Sequence, residues 1–129
     1  MTLGEYLLAV VAKPFGVDGC CTFVADWCVE LGHPDPMAFI RGSYASAEEV
    51  AALLQKPGLL RLAHRGFESI GLPQTLEPAT GDVGVIHRLT DDHVDIVCAI
   101  RSGERWVSRL DRGLLVAEAP TIRAWRTAP

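Results

Sequence analysis

The chain has 129 residues, which is the size of one ordinary domain built around one hydrophobic core. Hydrophobic residues make up 49% and charged residues 22%, so the composition excludes a disordered tail or a polar linker. Twelve basic against sixteen acidic side chains give a net charge of −4, whereas a sequence-independent nucleic-acid binder normally carries a basic excess. We therefore expect a single globular domain over residues 1–129 that does not bind nucleic acid.

Two further classes are disfavoured by the distribution of apolar and basic residues. No apolar run reaches the roughly 18–20 residues that span a bilayer, so no membrane span is predicted. The amino-terminal segment lacks the basic region of a secretory signal, so no signal peptide is predicted. Adjacent cysteines rarely pair and the core is adequate without cross-links, so all four cysteines are predicted to be reduced.

Apolar periodicity predicts helices in the first half of the chain. The first helix is expected over Leu3 to Ala12, and the second from Cys20 to Leu31, where Gly32 provides a carboxyl-terminal cap. Ser46 begins a capping box, which predicts a third helix as far as Gln55. Pro57 can open a fourth helix that ends near Ser69.

The second half of the chain shows the pattern of short strands joined by tight turns. Four strands are expected, over Gly81 to His87, His93 to Ile100, Arg105 to Leu110 and Leu114 to Glu118. Thr121 to Arg126 is expected to form either a helical turn or a returning strand. Because helices precede an antiparallel meander, the predicted fold class is α+β.

Cys20 is the residue most suggestive of chemistry, because it follows a glycine-bearing loop and begins a predicted helix. Unpaired backbone N–H groups and the positive end of the helix dipole stabilise a thiolate at that position. Cys28 lies on the apolar face of the same helix and is expected to fill the core. A thiolate nucleophile also needs a base, for which His93 is the best candidate and His87 is the competitor.

A metal centre is disfavoured by the cysteine spacing. Structural zinc sites pair cysteines two to four residues apart, whereas Cys20, Cys21 and Cys28 are separated by zero and six residues. Alternation along the strand also places Cys98 and His93 on opposite faces. The sequence therefore predicts neither a metal nor a cofactor.

Three segments resemble the NlpC-like family of papain-fold cysteine peptidases. Phe15–Trp27 resembles the nucleophile segment, Gly81–Ile86 the Gly-Asp-Val strand, and His93–Ile96 the strand that supplies the catalytic histidine. A small phage-encoded branch, found near tail genes of siphophages, prophages and gene transfer agents, is more similar still. Its Cys-Cys-x-Phe-x-Ala-Asp-Trp, Arg-Gly-x-Tyr and Ala-Trp-Arg segments match Cys20–Trp27, Arg41–Tyr44 and Ala124–Arg126.

The resemblance implies a papain-like domain in which Cys20 is the nucleophile and His93 the general base, with the backbone N–H of Cys20 in the oxyanion hole. Ser108 stands on the strand that normally supplies the third catalytic residue, and Asp95 is the other candidate for orienting His93. The implied protein is a hydrolase of peptidoglycan peptides, carried in the phage tail with tail-tip proteins as partners and found in the host cytoplasm before assembly. A tail-tip adaptor that keeps the fold without the activity is the alternative.

Overall fold

A computed structural model describes residues 1–13, 19–41, 48–49, 58–92, 94–110 and 113–129. In these ranges the chain forms helices followed by an antiparallel sheet, which confirms the predicted α+β class. The helices are α1 (Leu3–Val11), α2 (Gly19–Glu30) and α3 (Gly58–Ser69). The strands are β1 (Val83–Leu89), β2 (Val94–Ser102), β3 (Arg105–Leu110), β4 (Gly113–Ala117) and β5 (Thr121–Trp125).

Helix α1 begins at a reciprocal cap that the apolar pattern did not reveal. The backbone N–H of Glu5 donates to the Thr2 hydroxyl, and the Glu5 carboxylate accepts the Thr2 N–H, each at 3.2 Å. Tyr6 is the buried residue of this helix, and its hydroxyl donates to the carbonyl of Phe23. Val11, although apolar, is 46% exposed. The buried side is therefore centred on Tyr6, with partly buried leucines beside it.

Helix α2 follows its predicted range to within one residue at each end. Gly32 has a φ of 94°, the left-handed conformation of a carboxyl-terminal cap, and its N–H donates to the carbonyl of Val29. Cys28 is fully buried, as predicted. The helix predicted from Ser46 to Gln55 lies outside the described residues, apart from two glutamates that are helical.

The five strands pair in the order β4-β3-β2-β1-β5. The first four form the predicted antiparallel meander, and the last segment resolves as a strand that returns beside β1. Trp125, on β5, is fully buried and its indole N–H donates to the Glu68 carboxylate of α3. This bond and the buried ring hold the end of the chain against α3.

The two faces of the sheet bury different sets of side chains. The face that packs on the helices contributes Val83, Val85, Cys98, Ile100 and Val107, and the opposite face contributes Ile86, Val97, Ala99, Trp106 and Ala124. His87 lies two residues after Val85 and pairs with Ile96, so alternation places it on the helix-facing side. None of the helices in the described ranges is long and apolar enough to cross a membrane.

Candidate active site at the start of α2

The start of α2 lies against a place where two neighbouring strands of the sheet separate. Backbone pairing between β2 and β3 covers Ile100 to Ser102 on the β2 side, and Cys98 lies two residues before it. Gly19 opens the helix with a φ of 48°, a conformation that glycine adopts without a steric penalty. Cys20 follows in the first turn, as the sequence predicted, and it is half-buried.

Two side chains pair with the backbone of Cys98 where the strands separate. Its N–H donates to the Cys20 sulfur at 3.4 Å, and its carbonyl accepts the Ser108 hydroxyl at 2.7 Å. Buried backbone groups need such partners, because an unpaired group costs about 1–3 kcal/mol. In a regular sheet, backbone groups of β3 would pair with the N–H and carbonyl of Cys98. Here the Cys20 sulfur and the Ser108 hydroxyl take the place of those backbone groups.

Three cysteine sulfur atoms lie close together at this point, and we call them the sulfur group. The Sγ atoms of Cys20, Cys21 and Cys98 all lie within 4.8 Å of one another. Cys21 is 1% exposed and Cys98 is fully buried, so Cys20 is the least buried residue of the three. All four cysteines of the chain are free thiols in the structure.

Hydrogen bonds within the group favour ionisation of one thiol over the others. Bonds from the side chain of Cys21 and then of Cys98 hold the pKa of Cys20 well below the ordinary thiol value. The pKa of Cys98 is raised, because its side chain bonds to Cys20 and Cys21 and because it is buried. Burial also raises the pKa of Cys28 to about 12. Of these three thiols, Cys20 is therefore the one that ionises most readily.

Ser108, the candidate third residue of the resemblance, is fully buried. Its hydroxyl supports the backbone of β2 through the bond to the Cys98 carbonyl. Asp95, the other candidate, is half-buried on β2. His93 lies outside the described residues, so a catalytic role for either residue stays a prediction.

We expect Ser108→Ala to lower the free energy of unfolding by about 1–3 kcal/mol, because it leaves the buried Cys98 carbonyl without this donor. Urea unfolding followed by circular dichroism measures the effect. Ser69→Ala is the matched control, since the Ser69 hydroxyl also donates at 2.7 Å, but to Gly66 of its own helix and near the surface. An equal loss in both variants would contradict a special role for the Ser108 bond.

The histidines differ in what surrounds their rings. His33 Nε2 lies 2.7 Å from the Thr127 carbonyl, and His64 Nδ1 lies 3.1 Å from the Arg123 guanidinium, so both have structural partners. Among the described residues, the buried Nδ1 of His87 has no hydrogen-bond partner. His93 lies outside the described residues, so its pairing with Cys20 stays a prediction.

A groove of about 410 Å³ lies between α1 and one side of α2, along the length of α2 from Gly19 to Glu30. Its lining includes Tyr6, Gly19, Asp26 and Arg109, but the Cys20 side chain is not part of it. Arg109 donates to the carbonyl of Lys13 at 2.9 Å and so ties β3 to the end of α1. The groove borders the backbone just before the candidate nucleophile rather than the sulfur itself.

Asp26 lies at the surface of the protein, whereas the neighbouring Trp27 lies in the core. The Trp27 indole N–H donates to the Gly81 carbonyl at 2.8 Å, and the ring is 3% exposed. Asp26 points outward and accepts from Arg41, which also pairs with Asp35. The rest of the Arg41–Tyr44 segment lies outside the described residues.

The meeting of Cys98 with Cys20 and Cys21 is the feature that sequence reasoning missed. Seventy-eight residues separate Cys98 from Cys20, so no spacing motif connects them. The sequence does carry one signal for this contact, which is the alternation of side chains along a strand. It places Cys98 on the same face of β2 as apolar residues that pack against the helices. That signal indicates a face, but not which helical residue lies opposite.

The family model described as a domain of unknown function (DUF6950) matches residues 1–127. No curated protein and no solved structure matches the chain.

Proposed function

The chain belongs to the DUF6950 family, and we propose that it is a cysteine peptidase that cleaves amide bonds of peptidoglycan peptides through Cys20. The observation that carries the proposal is the position of the Cys20 sulfur. It lies in the first turn of α2, accepts the Cys98 N–H at 3.4 Å and is half-buried, while the other three cysteines are inaccessible. This combination of a stabilised thiolate and access is what a nucleophile requires.

In the proposed reaction the Cys20 thiolate attacks the amide carbonyl carbon, and the carbonyl oxygen becomes an oxyanion. Backbone N–H groups at the start of α2, including that of Cys20, stabilise this charge. Protonated His93 gives its proton to the amine as the carbon–nitrogen bond breaks, which leaves a thioester on Cys20. Water, activated by His93, then releases the acid and restores the thiolate.

The substrate and the setting of the proposal come from the resemblance to the NlpC-like branch near phage tail genes. A tail-borne enzyme would reach cell-wall peptides during DNA delivery because the particle carries it there. Tail-tip proteins are the proposed partners. The net charge of −4 does not point to nucleic acid as a further ligand.

Digestion of purified cell wall tests the proposal. We expect the wild type to release new amino groups from peptidoglycan, and Cys20→Ser to lose this activity by about a thousandfold or more. Cys28→Ser is the matched control, because Cys28 lies on the same helix but outside the sulfur group. Cys28→Ala replaces it if the buried hydroxyl prevents folding. Equal activity in the Cys20 and Cys28 variants would overturn the assignment of the nucleophile.

The alternative, an adaptor that keeps the fold without the activity, is favoured by one observation. The hydroxyl of Ser108, the candidate third catalytic residue, is engaged with the Cys98 carbonyl at 2.7 Å. An adaptor needs no thiolate, so it would assemble into tails normally as Cys20→Ser. Inactivity of the wild type on walls, together with normal assembly of that variant, would select the adaptor.

A further inference from the structure

The sulfur group at the start of α2 has a composition that suits a metal as well as a nucleophile. We propose that Cys20, Cys21 and Cys98 together bind one Cu(I) ion through three thiolates. The three Sγ atoms already lie within 4.8 Å of one another. Thiolate donors select soft ions such as Cu(I) over harder cations.

The distances between the three sulfur atoms would need to change little for them to bind one metal ion. Metal–sulfur bonds of about 2.3 Å in a trigonal site place the sulfur atoms about 4 Å apart. Sulfur atoms that start within 4.8 Å therefore need to approach one another by less than about 1 Å. Rotation of the half-buried Cys20 side chain can supply part of that movement without disturbing the core.

The three donors in the described residues suit Cu(I), whereas His93, which the proposed function places beside Cys20, would supply zinc with a fourth, nitrogen donor. Structural zinc is almost always bound by four protein ligands. Among the described residues, no fourth cysteine, histidine or carboxylate joins the three sulfur atoms. A three-coordinate thiolate site therefore fits an ion that accepts a low coordination number.

The surroundings of the sulfur atoms also suit a negatively charged complex of Cu(I) with thiolates. Binding of Cu(I) replaces the protons of the thiols that are still protonated, so these protons are released to solvent. The remaining negative charge lies beside the Cys98 N–H and the amino-terminal end of α2, both of which stabilise it. Cys20 is the least buried of the three residues, so the shortest route for the ion lies on its side.

This proposal goes beyond the proposed peptidase activity and does not depend on it. Coordination to Cu(I) withdraws electron density from the Cys20 sulfur and blocks its approach to a carbonyl, so an occupied site would be an inhibited enzyme. Binding is measured on the metal itself, and a failure of either proposal therefore leaves the other untouched.

Anaerobic titration of the full chain with Cu(I), in competition with the chromogenic chelator bicinchoninate, tests the site. We expect one Cu(I) per chain in the wild type, and an affinity at least a hundredfold lower in each of Cys20→Ser, Cys21→Ser and Cys98→Ser. Cys28→Ser is the control and keeps the wild-type affinity. X-ray absorption of the wild-type complex is expected to show three sulfur neighbours, and this measurement needs no variant to fold.

Several results would overturn the assignment. They are two sulfur neighbours in the absorption spectrum, a Cys28→Ser variant as weak as the others, or a Cys98→Ser variant that is folded and binds normally. Preferential binding of Zn²⁺ with a fourth, nitrogen neighbour would also overturn it, because the site would then be four-coordinate. An affinity that only matches that of an unfolded cysteine peptide would show that the fold organises no site.

Discussion

Iodoacetamide will modify Cys20 first in the folded protein at pH 6–7, before it reaches any of the other three cysteines. The expected rate constant is about threefold above that of an ordinary thiol at pH 7. The measurement is a time course of alkylation at several pH values, in which peptide mapping assigns the label to each cysteine. No knowledge of the substrate is needed.

The size of this effect follows from the thiolate fraction. A free thiol with a pKa near 8.5 is about 3% ionised at pH 7. Hydrogen bonds from Cys21 and Cys98 lower the pKa of Cys20, so a larger fraction of its thiol is ionised at that pH. Ionisation can raise the rate by at most about thirtyfold, and the lower intrinsic nucleophilicity of a thiolate of lower pKa reduces this gain to about threefold.

The expected change of the Cys20 alkylation rate with pH follows from the same lowered pKa. Since the pKa of Cys20 is lowered, its rate should stay high through neutral pH and fall only as the pH drops through the lowered value. Cys28 provides the internal control, because burial raises its pKa to about 12 and leaves it inaccessible. A Cys20 rate that rises with pH like that of a free thiol would contradict the proposed thiolate.

Local sequence signals predicted the elements that carry the site more reliably than the contacts between them. The end of α2 at Gly32 and the β3 strand were predictable because caps and turns act over a few residues. It was less predictable which apolar side chain of a helix becomes buried, because several of them have similar hydrophobicity. Tyr6 became the buried residue of α1 because its ring stacks on Phe23 and contacts Trp27, while Val11 lies outside that contact.

At the candidate site, too, local sequence signals predicted the elements but not the contacts between them. A helix start at Cys20 could be predicted from the glycine before it and the apolar stripe after it. The separation of β2 from β3 could not, because it depends on where backbone pairing stops along two strands. That separation leaves the Cys98 N–H and carbonyl available to Cys20 and Ser108, so a local irregularity of the sheet creates the sulfur group.

The reactive sulfur and the structural role of Cys20 are therefore linked. Replacement by alanine removes both the nucleophile and the acceptor of a buried N–H, whereas serine keeps an acceptor in the same place. This is why Cys20→Ser is the informative variant for activity and for metal binding. A loss measured with Cys20→Ala alone would combine chemistry with destabilisation.

The identity of the base decides how the proposed reaction runs, and we expect His93→Ala to lower kcat/KM on wall peptides by about a hundred- to ten-thousandfold. The reason is that the leaving amine needs a proton that no group of ordinary acidity supplies at neutral pH. In the same variant, the apparent pKa from Cys20 alkylation is expected to rise, because the thiolate loses a cationic partner.

His87→Ala is the discriminating comparison. His87 shares the helix-facing side of the sheet with Cys98, since Val85 pairs with Cys98 and His87 pairs with Ile96. Diagonal neighbours of this kind lie about 7–8 Å apart, within reach of a histidine ring that turns toward α2. If His87→Ala abolishes turnover and shifts the Cys20 profile while His93→Ala leaves both unchanged, the base lies on β1. The catalytic pair would then differ from that of the NlpC-like peptidases that the chain resembles.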